Sequence, residues 1–279
     1  MSNKKQIILK QNAIISGGIV DASEDFSLVF NANEHDMVNA LLYILQDSIR
    51  YGESTLGLFN FEDFARVAIS QDKLIKLCRI SPARAKEIVS KEGDRNITYI
   101  EQVLRNVRDS SIMVSNTRLP VFDERNNAVY NENGDLEVEK VKKAFFGIIE
   151  EVRIKRDPTD ERKNSIFITF NKTFLALATK QFSLTHGNYS ALDSAITSKM
   201  QSRHAKRLCE FLFSRKDFGV FTVPLDALRL LFFMTPDTQG SYIVKTIDRI
   251  HDTVNTAIPF SYEYHKADKK ITFRLSPKN

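Results

Sequence analysis

The segment from Ser202 to Leu275 constrains the fold more than any other part of the chain. In Ser202–Leu212 the residues Ala205, Leu208, Cys209 and Leu212 recur at helical spacing. Val223-Pro224 reads as a short strand leading into a helix that carries Leu225, Leu228 and Leu231. Tyr242–Asn255 is a further amphipathic helix with Ile243, Ile247, Ile250 and Val254 in one stripe. Tyr262–Leu275 then alternates apolar and polar residues on either side of a lysine-rich tip, as a two-stranded hairpin does. Helix, strand, helix, helix and hairpin, in that order, is the plan of a winged helix, whose third helix usually lies in a DNA groove.

The preceding residues repeat this plan loosely. Residues 1–26 mix polar residues with Gly17-Gly18 and read as a mobile arm. Asn33–Ile49 keeps Met37, Val38, Leu41, Leu42, Leu45 and Ile49 at helical spacing, and a second helix is expected from about Phe61. Ser81-Pro82 opens a helix that Gly93 would close, and Asn96 would cap the next, Ile97 to about Asp109. That is a helix-turn-helix reading. Strand-like segments follow at Ser111–Asn116, Ala144–Lys155 and Ser165–Phe170, then a short apolar helix with Phe174, Leu175 and Leu177. The expected class is α+β: two tandem winged-helix domains, 27–180 and 181–279. An acidic insertion, 122–140, would stand in the wing of the first, turning at Glu132-Asn133-Gly134-Asp135.

The faces left over by the apolar stripes are the candidate DNA contacts. In the last helix these are Tyr242, Lys245, Thr246, Arg249 and Thr253, whose cationic, hydroxyl and aromatic groups suit phosphates and base edges. The hairpin tip adds Lys266, Lys269 and Lys270, placed to grip the phosphate backbone. The helix around Ser202–Leu212 adds Lys199, Arg203, Lys206 and Arg207. The first half offers Arg95, Thr98, Gln102, Arg105 and Asn106; Arg, Gln and Asn are the side chains that can bond bases bidentately. An ordinary solvated face would carry the same residue types, and the sequence alone leaves both readings open.

Composition narrows the alternatives. The chain carries 42% hydrophobic and 10% aromatic residues, enough for packed cores. The net charge of +5 is uneven: 16 Lys and Arg face 9 Asp and Glu from residue 172 onwards, against 24 and 26 before it. Cys78 and Cys209 are isolated, which fits a reduced, cytoplasmic setting, and no apolar stretch suggests a membrane span. There is no P-loop, and the five histidines form no His-x-His or HExxH pattern. A noncatalytic protein without metal or cofactor is expected, not a nicking enzyme.

The string from Ser202 to Leu275 resembles the iteron-binding plasmid replication initiators, the Rep_3-type family. The resemblance rests on Ser202, Ala205, Arg207, Leu208, Glu210 and Leu212, then Leu225, Leu228, Arg229 and Leu231. It continues through Val254-Asn255 and Ile271-Thr272-Phe273. The first half fits by order of elements, including Phe145-Phe146-Gly147-Ile148-Ile149 and Ile166–Phe170, so that residues 27–275 are covered. It implies an initiator that binds direct repeats of double-stranded DNA at an origin. It also implies a homodimer through the first domain that represses its own promoter, and contacts with the host initiator and helicase. A winged-helix transcriptional regulator is the alternative.

Overall fold

The computed structural model describes residues 7–11, 18–21, 32–56, 66–125, 127–159, 164–178, 189–197 and 199–276. Two short strands, β1 (Ile7–Gln11) and β2 (Gly18–Asp21), lie where the sequence suggests a mobile arm. Their β-branched residues find partners far along the chain: β1 pairs with residues 189–193 and β2 with residues 110–113. The amphipathic helix α1 (Ala32–Leu56) is buried at Met37, Leu41 and Leu45, and also at Ala40 and Ile44. Burial beyond one stripe means that α1 is covered on more than one side. It belongs to the first core, while its Tyr43 packs against the second.

The helix expected from Phe61 begins outside the described residues. Beyond them come β3 (Arg66–Ser70) and α2 (Gln71–Cys78), whose first turn is capped by the Ser70 hydroxyl accepting the Lys73 N–H. Ser81-Pro82 does open a helix, α3 (Pro82–Ala85), but it stops after one turn. The chain continues into β4 (Ile88–Glu92) and β5 (Arg95–Thr98), with Gly93 at φ 57° in the turn between them. The β-branched Ile88-Val89 and the Gly93-Asp94 pair thus make a hairpin, and the helix-turn-helix expected here is absent. Helix α4 (Tyr99–Arg108) is capped at Thr98 rather than Asn96, because the Glu101 carboxylate accepts the Thr98 N–H at 3.0 Å.

Strands β6 (Ser110–Pro120) and β7 (Val138–Gly147) form a long hairpin. The acidic segment is its distal end, turning at Asn131–Asp135 around Gly134 at φ 80°. Strands β8 (Ile149–Lys155) and β9 (Ser165–Phe170) follow it, so the insertion stands ahead of the β8–β9 hairpin and not at its tip. Helix α5 (Lys172–Ala178), capped by Asn171, buries Phe174, Leu175 and Leu177. Then come β10 (Tyr189–Asp193), α6 (Ser194–Thr197), α7 (Arg203–Phe213), β11 (Val220–Pro224), α8 (Leu225–Leu231) and α9 (Gly240–Asn255). The last elements are β12 (Phe260–His265) and β13 (Lys270–Leu275).

The protein is thus a mixed α+β structure with small antiparallel sheets. The sheet β3-β9-β8 and the sheet β11-β13-β12 have the same strand order, first, third, second, and each follows a helix, α1 or α7. Two hydrophobic clusters correspond to them. The first runs from Met37 to Ala178 and also takes in Phe233; the second runs from Leu192 to Phe273.

Candidate nucleic-acid interface

Helix α9 is seated by its apolar stripe, with Ile243, Ile247, Ile250 and Val254 buried against α7, α8 and the sheet. Its first residue must be small. A Cβ at Gly240 would lie 2.4 Å from the Tyr264 hydroxyl and 2.7 Å from Leu225 Cδ1, so glycine lets the helix start against β12. The outer face presents Tyr242, 51% exposed, with Lys245, Arg249 and Thr253 also exposed. Asp248 is drawn aside by the Tyr262 hydroxyl, which donates to it; burial and then Asp248 raise the Tyr262 pKa. Thr246 is not part of this face. It is 2% exposed, and its hydroxyl donates to the Tyr242 carbonyl at 2.9 Å, because its position borders the apolar stripe.

Beside α9, the β12–β13 hairpin exposes Lys266, Lys269 and Lys270 at its tip, with Lys269 at φ 52° in the turn. Among the described residues, the side chains of Lys245, Arg249, Lys266, Lys269 and Lys270 meet no carboxylate. Arg203, half-buried on α7, adjoins this face near Tyr242, and its Nε donates to His204 Nε2 at 3.3 Å. Burial, followed by Arg203, lowers the His204 pKa to about 4, so this ring is neutral at pH 7. Lys199 is exposed, and with Thr253 it lines an open groove that also includes Met200 and Ala257.

Two further cations expected on this face turn away from it. Lys206 is 1% exposed and its Nζ lies 2.5 Å from Asp36 Oδ1 on α1. Arg207 is fully buried; its Nε donates to the Leu231 carbonyl and its guanidinium lies 5.1 Å from the Phe233 ring centre. Desolvation lowers its pKa to about 10. A helical wheel places both residues opposite the stripe of α7, but α1 covers that side. Missing from the sequence reading was Asp36 on α1, the acid that receives Lys206. A basic pair next to a lone glutamate on one helix was the available signal.

The first-half candidates do come together on and around α4, but neighbours occupy them. Arg95 and Arg156 lie 3.3 and 3.4 Å from the buried Glu101. Burial pushes the Glu101 pKa up, but the Thr98 N–H and the two arginines outweigh it and hold the group below its ordinary value. Thr98 is the cap of α4. Both terminal nitrogens of Arg105 bond the Glu92 carboxylate. Gln102 donates to Asn106 at 2.8 Å, and Asn106 donates to Glu34 on α1 at 2.5 Å. Of the expected contacts, the α4 set is therefore held largely by acids, whereas the side chains of Lys245, Arg249, Lys266, Lys269 and Lys270 meet no carboxylate among the described residues. No helix among the described residues is long and apolar enough to cross a membrane, and no group of His, Cys, Asp or Glu there could hold a metal ion. No family model matches the chain, and a search of curated proteins finds no relative.

Proposed function

We propose that residues 203–275 are a winged helix that binds double-stranded DNA, with α9 in the major groove and the β12–β13 hairpin against the backbone. The observation that carries this reading is the set Tyr242, Lys245, Arg249 and Thr253, continued by Lys266, Lys269 and Lys270, with no neutralising carboxylate among the described residues. A cluster of unpaired cations on a helix and an adjoining hairpin releases counterions when it meets phosphates. With the family resemblance, this supports a plasmid replication initiator that binds direct repeats at an origin and works by binding and DNA deformation, without a covalent step. The first half repeats the strand order of the second. Its α4 face is held by Glu34, Glu92 and Glu101, so we assign it a smaller share of base reading. The homodimer that the resemblance implies is proposed to form through this first domain.

Footprinting on DNA flanking the gene tests the proposal. Protection of tandem repeats is the expected result. Binding without repeat preference removes the initiator reading, and protection of one inverted repeat at a promoter favours the regulator. Arg249→Ala is expected to weaken cognate binding by about 1–3 kcal/mol. Lys269→Ala is expected to weaken all sequences alike and lower the salt slope.

A further inference from the structure

Arg203, the first residue of α7, is held by one nitrogen. Among the described residues its Nε donates to His204 Nε2 at 3.3 Å, and its two terminal nitrogens meet no acceptor. The side chain is half-buried and lies within electrostatic reach of Tyr242 on the α9 face. Glu34 is the acid that acts on it, but the two form no ion pair. Glu34 is itself buried and accepts from Asn106.

The His204 ring is fixed from more than one side. It stands edge-on to Phe232, with ring centres 5.6 Å apart and planes at 80°. A bond to the Phe232 backbone raises the pKa of the ring, which makes the ring the donor in that bond. One ring nitrogen is therefore occupied, and Nε2 keeps its lone pair for Arg203. Arg249 acts on the same ring from α9, so the two arginines adjoin where α7 meets α9. The contrast with Arg105 is instructive. A carboxylate orients Arg105, but Glu92 also cancels the charge that it orients. A neutral imidazole orients Nε and leaves the guanidinium its full charge and a free two-nitrogen fork.

We infer that Arg203 holds one backbone phosphate beside the base pairs that α9 meets, and that His204 is the positioning residue that aims it. The inference rests on the DNA reading above and adds a contact from α7, outside both α9 and the β12–β13 hairpin. The fork of Arg203 matches two oxygens of a phosphodiester. Such a contact carries no sequence information; it fixes the register of the reading helix in its groove.

The test uses the full chain and the duplex that footprinting protects, labelled with fluorescein and followed by anisotropy over a series of salt concentrations. Arg203→Ala should bind about tenfold more weakly and lower the salt slope by about one. His204→Phe keeps an aromatic ring against Phe232 but offers no acceptor, and should bind several-fold more weakly. His204→Gln still accepts, and should bind nearly as the wild type does. In an Arg203→Ala background His204→Phe should change nothing further. Replacing phosphates singly by neutral methylphosphonate should find one position that weakens the wild type and leaves Arg203→Ala unaffected. A free phosphate ion as the ligand would couple to no such position, and that result overturns the inference. Should His204→Phe unfold, nitrogen-15 NMR of the wild type asks the same question: the Arg203 Nε–H should exchange more slowly than that of Arg249, and equal rates remove the positioning role. Unchanged affinity and slope in Arg203→Ala, equal binding by His204→Phe and His204→Gln, or additive losses in the double variant would each sink the inference while leaving the DNA reading intact. A wild type that binds no duplex would end the DNA reading and this inference with it.

Discussion

Asn39 Nδ2 donates to Glu210 Oε1 at 3.0 Å, joining α1 to α7 across 171 residues of sequence. The other carboxylate oxygen of Glu210 lies 3.3 Å from His35 Nε2, and all three side chains are buried. With Lys206–Asp36 alongside, the surface between the two cores is a polar joint in which a buried acid has its own donors. Such groups add little when fully paired, but removing one partner strands the others. Glu210→Ala is therefore expected to lower the unfolding free energy by about 3–5 kcal/mol, measured by urea titration. Asn39→Ala, which leaves His35 on the carboxylate, should cost about 1–3 kcal/mol. A loss below about 1 kcal/mol in Glu210→Ala would show that the joint does not hold the halves.

Phe233 sits at φ 55°, just past the end of α8, where helices usually place glycine. Its N–H bonds the Leu230 carbonyl, and the next N–H bonds that of Arg229. The ring explains the choice: it is buried in the first core, with Arg207 over its face. Removing the ring should cost about 3–5 kcal/mol as alanine. Glycine, freed of the left-handed penalty of roughly 1–2 kcal/mol, should cost less by about that amount. Thermal unfolding of Phe233→Ala and Phe233→Gly checks the order; equal losses would remove the strain.

How far the sequence foretold this arrangement depended on whether a signal was local. The stripe Ile243, Ile247, Ile250, Val254 and the alternation of Tyr262–Leu275 each need only one neighbouring surface, and both appear as expected. Ile88–Thr98 was misread because a proline and a glycine suggested helix ends, whereas Gly93 serves a two-residue hairpin turn. Lys206 and Arg207 were misread because helical spacing shows one buried side, and α7 has two. Nothing local announces that α1, some 170 residues earlier, supplies Asp36. Likewise Gln102 and Asn106 have the chemistry of base readers, but Asn106 donates to Glu34 and accepts from Gln102.

Gly240 links the helix face to the hairpin. An added side chain would meet Tyr264 and Leu225 within van der Waals distance. Gly240→Val is expected to cost about 1–3 kcal/mol of stability as an overpacked contact. It should also shift β12 away from α9, so DNA affinity should fall even though no cation is lost. Unchanged affinity in a gel-shift titration would mean that hairpin and helix bind independently.

His204 makes stability depend on pH in a defined window. In the unfolded chain its ring titrates near 6.5; in the folded protein burial, then Arg203, lowers its pKa to about 4. Between those values the unfolded state binds a proton that the folded state does not. The contribution of the neutral ring is complete above pH 6.5 and is lost as the pH falls toward 4. At pH 4.5 the loss from this group is about 2 kcal/mol relative to pH 7. Carboxylates titrate in the same range, so the comparison is with His204→Gln, which can still accept from Arg203 without taking a proton. Urea titrations at pH 7 and 4.5 should show the wild type losing about 2 kcal/mol more than the variant. Equal losses would place the His204 pKa near that of a solvated ring.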